Sequence, residues 1–249
     1  MSPPAPTSPT PPHYAELDCL SNFSFLKGAS HPEELVTRAT ELGYDALALA
    51  DECSLAGIVR AWVEARSRHF KLIIGSRFQL AAGTSCPAAR TEDTAYTDNT
   101  GDDPHIIVLA RNLNGYGNLS EFITLGRMSS PKGTYVASFD LLRHPPNDHA
   151  HLQGLPDCLV IFRPRHGIGP KALWTQMESL RSLFAGRLWL GLALHRRDDD
   201  AQHRATLELA SQMYSVPLVA IGGVEMHTRA RQPLHDTLAA IRLKTPIHD

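Results

Sequence analysis

Short apolar runs and longer amphipathic stretches alternate along this chain. The apolar runs are continuous, which is typical of parallel strands covered on both faces. They span residues 14–20, 45–51, 71–80, 105–111, 157–163, 187–195 and 217–223. Helix-periodic stretches follow at residues 33–42, 56–68, 118–128, 171–184, 201–214 and 234–243. This alternation predicts an α/β fold built from repeated βα units, most simply a TIM-barrel-like (β/α) barrel.

The first predicted helix has signals at both ends. Ser30 and Glu33 have the spacing of a capping box, in which each side chain binds a free backbone N–H. Gly43 stands where a glycine commonly follows the last helical turn. Residues 31–42 are therefore predicted to form a helix closed at each end.

Three segments lack either pattern. Residues 1–12 are rich in Pro, Ser and Thr and are predicted to be a disordered tail. Residues 82–104 and 143–156 are polar or proline-rich and are predicted to be surface loops. The remainder, residues 13–249, is predicted to be a single barrel domain.

The composition of the chain argues against several classes of function. Hydrophobic residues make up 43% of the chain and charged residues 20%, with a formal net charge of −2, so no overall basic field would attract nucleic acid. The four cysteines are far apart, which argues against a zinc knuckle and against a secreted disulfide framework. No apolar run is long enough for a membrane span, and we expect a cytoplasmic protein.

Acidic side chains and one histidine mark the ends of several predicted strands. Asp18 lies in the first strand, Asp51 and Glu52 end the second, and Glu225 and His227 follow the seventh. The catalytic groups of a (β/α) barrel collect at the carboxyl ends of its strands. Carboxylates and imidazole there are what a metal hydrolase needs. These five residues are candidate ligands for manganese or zinc, although no firm ligand set follows from the sequence.

Each candidate also has a simpler interpretation. Asp51 and Glu52 could favour the start of the following helix, where the helix dipole stabilises acids. His195, which ends the sixth predicted strand, could be a hydrogen-bonded residue at the barrel edge, and His227 could be an exposed loop residue.

Asp18 and Arg77 give a different prediction for the same place. A carboxylate within an apolar strand needs a partner, and Arg77, in the third strand, could neutralise Asp18, Asp51 or Glu225. An arginine at a barrel mouth is a poor neighbour for metal cations. Arg77 is therefore the candidate for an ion network that replaces a metal.

Three short basic clusters could contact phosphates from one rim of the barrel. They are residues 163–166 (RPRH), 195–197 (HRR) and 227–232 (HTRARQ). Solvated loops would explain them equally well, so a DNA-binding role and a solvated surface are both open interpretations.

A long stretch near the start, ELDCLSNFSFLKGASHPEELVTRATELGYDALALADECSLAGIVRA, identifies a family. It resembles the N-terminal PHP (polymerase and histidinol phosphatase) domain of bacterial error-prone DNA polymerases, relatives of the polymerase III alpha subunit. The resemblance continues through KLIIGSRFQL, HIIVLARNLNGYGNLSEFITLGRM and PLVAIGGVEMHTRARQPLHDTLAAIRL. It implies a distorted seven-stranded barrel, and in active members histidines and acids at the strand ends bind up to three metals that hydrolyse phosphoesters.

The first two metal motifs of the family are incomplete in this chain. The HxHxxxS motif falls on Asp18, Leu20 and Ser24, so both histidines are absent. The Asp-His pair falls on Asp51 and Glu52, so only the aspartate is retained.

The last two motifs have changed further. The Gly-x-Glu motif falls on Gly75 and Arg77, so a base replaces a ligand acid. The Asp-x-His motif falls on Gly223 and Glu225, and both ligands differ. By this resemblance the metal site is eroded.

The resemblance therefore implies part of an error-prone, translesion and repair-associated DNA polymerase, with a structural or docking role. The polymerase's catalytic acids and Mg²⁺ would lie beyond the barrel, so we expect a truncated, split or excised chain that does not polymerise DNA alone. Its partners would be the remaining polymerase domains or other repair subunits, with DNA contacted only indirectly. Residues 234–243 and 118–125 are candidate interfaces. The alternative is a residual metal-dependent phosphoesterase or exonuclease.

Overall fold

A computed structural model describes residues 13–81 and 103–247. Seven strands form one sheet in chain order. They are β1 (Ala15–Cys19), β2 (Ala46–Leu49), β3 (Leu72–Gln79), β4 (His105–Ala110), β5 (Cys158–Arg163), β6 (Leu188–Leu192) and β7 (Leu218–Ala220). Each lies within the apolar run that predicted it; β2 ends two residues before its run does, and β6 and β7 each end three residues before theirs.

The sheet curls until its two edges meet. The backbone N–H of Leu20, just after β1, donates to the carbonyl of Val224, and Val224 N–H donates to the Asp18 carbonyl, both at 2.8 Å. On the other side of β1, its pairing with β2 shifts register between Glu16 and Cys19. The result is a nearly closed seven-stranded barrel, which confirms the predicted distorted barrel.

One strand runs against the others. β4 is antiparallel to both β3 and β5, whereas all other neighbouring pairs are parallel. The expectation of parallel βα units throughout was therefore wrong at β4. An antiparallel partner needs no helical crossover, which agrees with the absence of a helix-periodic pattern in residues 82–104.

Helices cover the outside of the barrel. Their bounds are α1 (Pro32–Glu41), α2 (Ile58–Ser67), α3 (Leu113–Met128), α4 (Phe139–Arg143), α5 (Pro170–Leu183), α6 (Asp200–Tyr214) and α7 (Gln232–Leu243). The short α4 was not predicted, and α3 begins five residues earlier than its pattern indicated because Asn112 caps it, accepting from Gly115 N–H at 2.9 Å.

The predicted cap of α1 is displaced by one residue. His31 occupies the N-cap, and its backbone N–H donates to the Glu34 carboxylate at 2.8 Å. Ser30 instead contacts His227 through its hydroxyl. At the other end Gly43 has a φ of +71°, which confirms the predicted glycine position beyond the helix.

Side chains alternate between the barrel interior and the helices. An interior cluster contains Ala48, Ile107 and Ile161, whereas their neighbours pack outward against the helices, as Phe78 and Phe162 do. Three described cysteines (Cys19, Cys53, Cys158) are buried free thiols. The apolar filling ends toward the mouth, where polar residues replace it.

The segment predicted as a loop at 143–156 is more ordered than expected. It contains a 3₁₀ turn at Asn147–Leu152, and Leu152 and Leu155 are buried. The predicted tail and most of the 82–104 loop lie outside the described residues. In the described part, no helix combines the length and apolarity that crossing a membrane requires.

Candidate functional site

Polar side chains gather at one mouth of the barrel. Because β4 is antiparallel, its first residue lies at the same mouth as the last residues of its neighbours: Gln79 pairs with His105, and His105 pairs with Arg163. The mouth therefore collects side chains from the carboxyl ends of six strands and the amino end of one.

Asp18 lies at the centre of this mouth and is fully buried. Arg77 donates a hydrogen bond to its Oδ1, and the Nε atom of Arg163 lies 2.8 Å from its Oδ2. Burial alone would raise the pKa of Asp18, but these two guanidinium groups hold it below its usual value. Asp18 is therefore ionised and shared by two cations, of which sequence reasoning anticipated only Arg77.

Glu52 forms a second charged contact beside the first. Lys27 donates to Glu52 Oε2, and the Tyr135 hydroxyl donates to Oε1 at 3.1 Å. Glu52 also forms a backbone bridge with Arg77. Burial opposes ionisation, yet Lys27 and Arg77 lower the pKa of Glu52 to about 2.

Asp51 is buried like Asp18 but has neutral partners. Its carboxylate accepts from the Ser21 hydroxyl at 2.7 Å, from Ser21 N–H at 2.8 Å and from the Ser24 hydroxyl at 2.7 Å. Burial raises the pKa of Asp51 despite these hydrogen bonds. Its oxygens hold the loop after β1 in place rather than face an open site.

The two predicted ligands that follow β7, Glu225 and His227, lie in different parts of the structure. Glu225 lies 2.7 Å from His235 Nε2 and acts electrostatically on Arg77. His227 turns toward α1, where its Nδ1 is 2.7 Å from the Ser30 hydroxyl and 3.8 Å from Glu34. The structure thus brings Glu225 toward the mouth network and places His227 in a different cleft.

His105 was missed by the sequence reasoning. It is 9% exposed, and its Nε2 is a buried nitrogen with no hydrogen-bond partner among the described residues. Burial and the nearby Arg77 lower the pKa of His105 to about 3, so the imidazole is neutral. Its position at the start of an apolar run was visible in the sequence, but the direction predicted for that strand was wrong.

A separate group of potential metal ligands lies in the segments that follow β5 and β6. His166, Asp199 and Asp200 offer ligand atoms within 4.8 Å of one another, and this is the only such group found in residues 13–81 and 103–247. His166 Nε2 is 3.0 Å from Asp200 Oδ1, and Nδ1 is 3.5 Å from Asp199 Oδ2. None of the five predicted ligands belongs to it.

The central residues do not fit a metal cluster as they are arranged. Arg77 and Arg163 occupy both oxygens of Asp18, and serine donors occupy those of Asp51. Fixed positive charges about 3 Å from the central carboxylate disfavour a divalent cation there. The mixed carboxylate and imidazole set around His166 is chemically more suitable.

Fold and site together place the chain among the distorted (β/α) barrels with a polar mouth. A model of the PHP domain family matches residues 16–168, and the chain belongs to this family. The match includes the strands that supply Asp18, Asp51, Arg77, His105 and Arg163.

Curated relatives connect this domain to a larger protein. The chain is 52% identical over 233 residues to an error-prone DNA polymerase of Bordetella parapertussis and 47% identical over 247 residues to one of Ralstonia pickettii. These alignments cover 93% and 98% of the chain but only 20% and 22% of the relatives. The chain therefore spans about a fifth of their length.

Solved structures share the fold at low sequence identity. A putative metal-dependent phosphoesterase from Bifidobacterium adolescentis has a TM-score of 0.52 at 14% identity, covering 92% of this chain and 90% of that one. An amidohydrolase from Chromobacterium violaceum has a TM-score of 0.54 at 13% identity, covering 85% and 87%. At these identities the likeness concerns the fold.

Proposed function

We propose that this chain is the PHP portion of an error-prone DNA polymerase in which an ion network has replaced the metal site, leaving a structural and docking role. The observation behind the proposal is Asp18, fully buried between Arg77 and Arg163. In the family pattern implied by the sequence, an acid stands where Arg77 stands here. A guanidinium supplies without a metal the positive charge that buried carboxylates require.

Metal content is the direct test of this replacement. Chain purified without chelator and dialysed should contain less than one equivalent of Mn, Zn or Fe by elemental analysis, and EDTA should leave its melting temperature unchanged. At least one tightly bound equivalent that Asp51→Asn removes would contradict the proposal. Asp200→Asn is the matched variant, because it alters the separate His166 group and leaves the central network intact.

The docking role rests on α7. Arg242 is the only buried residue of this helix, whereas Leu234 and Ile241 are 41% and 58% exposed. Leu234, Leu238 and Ile241 follow one another at helical spacing, so they form an apolar stripe that the barrel leaves largely uncovered. We infer that this stripe contacts the remaining polymerase domains, which make up most of the length of the relatives.

The other candidate interface packs differently. On α3, Leu119 and Phe122 are buried, at 0% and 2% exposure. The apolar face of residues 118–125 therefore covers the barrel, and we do not include it in the docking surface.

Association in trans tests the α7 surface. The chain should co-elute with the rest of a relative such as the Bordetella polymerase, expressed separately, and Ile241→Asp should abolish this complex. Val59→Asp is the control, because Val59 is 70% exposed on α2, away from the stripe. Equal binding by both variants would show that α7 is not the interface.

A metal-dependent phosphoesterase is the second candidate, favoured by the group of His166, Asp199 and Asp200. It requires stoichiometric Mn²⁺ or Zn²⁺ and hydrolysis of a model phosphodiester, both lost in Asp200→Asn. A chain that binds neither metal and cleaves no phosphoester would eliminate this function.

A further inference from the structure

A long groove runs over the outside of the barrel, between α4 and α5. Its volume is about 810 Å³. One wall is formed by Phe139 and Arg143 of α4, and the other by the part of α5 from Pro170 to Ser179. Its described lining includes no residue of the three basic sequence clusters and no member of the ion network. The groove is therefore a feature separate from the chemistry of the mouth.

The wall formed by α5 is a single helical face. Its lining side chains recur at helical spacing, beginning with Lys171 and Ala172, continuing with Thr175 and Gln176, and ending with Ser179. At a rise of 1.5 Å per residue, the distance from Lys171 to Ser179 along the helix is about 12 Å. An extended peptide advances about 3.3 Å per residue, so a groove of this length would hold about four residues.

The groove carries positive charge that its lining does not offset. Arg143 and Lys171 are lining residues, and no lining residue in the described parts of the chain is acidic. Within residues 13–81 and 103–247, neither side chain forms an ion pair with a carboxylate. The first turn of α5 also contains no acidic residue, so the positive end of its dipole adds to the field of the two side chains. An occupant should therefore be anionic.

The surface between the two cations is largely apolar. Phe139 is 9% exposed, and the guanidinium of Arg143 lies over its ring, 5.5 Å from the centroid. Pro104, Pro170 and Ala172 add further apolar surface. A purely charged ligand would leave this surface in contact with water, whereas apolar side chains would cover it favourably. The fitting occupant therefore combines acids with apolar groups.

The exposure of the groove favours a peptide over a small molecule. Sites for small molecules enclose most of the surface of their ligand, whereas Pro170, Lys171 and Thr175 are all exposed along the α5 wall. An open groove of this kind leaves both ends free, so a longer chain can pass through it.

Single-stranded nucleic acid fits the groove less well. Its bases bind by stacking on open aromatic faces. Phe139 is the one aromatic residue in the described lining, and its ring is nearly buried beneath Arg143. No such face is therefore offered to a base.

We propose that the groove between α4 and α5 binds an extended acidic segment of a partner protein, in which apolar side chains alternate with acids. Arginine-bearing surfaces recognise acidic motifs by the same pairing of charges. The acids would contact Arg143 and Lys171, and the apolar side chains would cover Phe139. This binding requires no metal and does not use the α7 stripe.

Peptide display with the 249-residue chain tests the groove. A phage library of random short peptides is selected against the immobilised chain, and the enriched peptides are synthesised and titrated by fluorescence anisotropy. They should carry acids on either side of an apolar residue. Arg143→Gln should weaken their binding roughly tenfold, as expected for the loss of one charged hydrogen bond.

A neutral variant separates the shape of the groove from its charge. Thr175 is exposed in the middle of the α5 face, so Thr175→Trp should fold normally and obstruct the groove while the net charge stays the same. It should weaken binding by roughly tenfold or more. Arg181→Gln is the matched control, because it removes a positive charge from an exposed position of α5 outside the lining. It should bind within about twofold of the parent chain.

The outcomes distinguish the possible occupants. Acidic peptides that lose affinity in both groove variants, and not in Arg181→Gln, support the proposal. It is overturned if no acidic peptide is enriched, if Thr175→Trp binds as well as the parent chain, or if an oligothymidylate displaces the peptides from the groove. The complex that depends on α7 should persist in Thr175→Trp. Its loss would assign the groove to the polymerase domains and overturn the choice of a separate partner.

Discussion

At the scale of single residues, Asp18 is the side chain whose loss the fold should tolerate least. Asp18→Asn keeps the shape but leaves Arg77 and Arg163 without their shared counter-charge. Removing one partner of a buried ion pair costs about 3–5 kcal/mol. We expect a loss of this size in the free energy of unfolding, measured by urea denaturation.

An exposed ion pair provides the control for Asp18. Arg38 and Glu41 are 3.0 Å apart on the surface of α1, and such pairs contribute at most about 1 kcal/mol. Glu41→Gln should therefore change the unfolding free energy very little. If Asp18→Asn were no more destabilising than Glu41→Gln, the ion network would not be holding the mouth together.

Glu52 predicts a dependence of stability on pH. Its folded pKa of about 2 lies below its ordinary value of 4.5, so its contribution is present above pH 4.5 and is lost as the pH falls toward 2. The contribution is on the order of 3 kcal/mol. Urea midpoints measured between pH 6 and pH 3 should fall less steeply for Glu52→Gln than for the parent chain.

Other buried acids act in the opposite direction over the same range. Burial raises the pKa values of Glu16 and Asp51, so their contributions are lost as the pH rises through those values. Only the difference between the parent chain and Glu52→Gln isolates Glu52. Parallel curves for the two proteins would contradict the assignment.

The sequence predicted that Arg77 could neutralise Asp18, because a buried acid requires a partner and the third strand offered one. The sequence did not predict that Arg163 also contacts Asp18, because Arg163 was assigned to a basic surface cluster. One side chain can belong to a surface motif and also reach a buried carboxylate 2.8 Å away. Only the register of β5 in the barrel reveals this.

At the scale of elements, two glycines of α3 should respond oppositely to the same substitution. A Cβ atom on Gly115 would lie 2.1 Å from the carbonyl oxygen of Asp157, whereas one on Gly117 would have no neighbour within 4 Å. Gly117→Ala should stabilise the helix by about 0.5–1 kcal/mol. Gly115→Ala should destabilise the protein, because backbone must move to admit the methyl group.

Thermal unfolding of the two variants, with the parent chain as reference, checks this pair of predictions. A rise in melting temperature for Gly117→Ala together with a fall for Gly115→Ala is the expected result. An unchanged melting temperature for Gly115→Ala would mean that α3 is not held against the loop at Asp157.

The direction of β4 limits what the sequence could predict about the barrel. A continuous apolar run has no intrinsic direction, so a repeated βα pattern favours parallel strands throughout. The one available signal was the absence of a helix-periodic sequence pattern in residues 82–104, since a parallel connection usually contains a helix. That signal would also have brought His105 to the mouth.

At the scale of the whole molecule, the barrel should open first at its seam. β3 and β4 pair continuously from Gly75–Leu109 to Gln79–His105. Between β7 and β1, two backbone hydrogen bonds join Val224 to Leu20 and Asp18. β7 is also short and ends in an exposed residue, Ala220.

Hydrogen–deuterium exchange read by mass spectrometry checks the seam. Backbone amides of residues 218–224 should exchange faster than those of residues 105–110, because local opening exposes the less protected strand first. Equal protection of both segments would show that the barrel unfolds only as one unit.

The reversal of β4 has a practical consequence for protein engineering. Because β3 ends at the mouth and β4 begins there, Ala81, two residues after β3, and Asp103, two residues before β4, both lie at that rim. A parallel β4 would have required the connection to return to the opposite end of the barrel. A fluorescent or spin label attached at Asp103 would therefore lie at the same rim as Arg163, where it could report on changes in the ion network of the mouth.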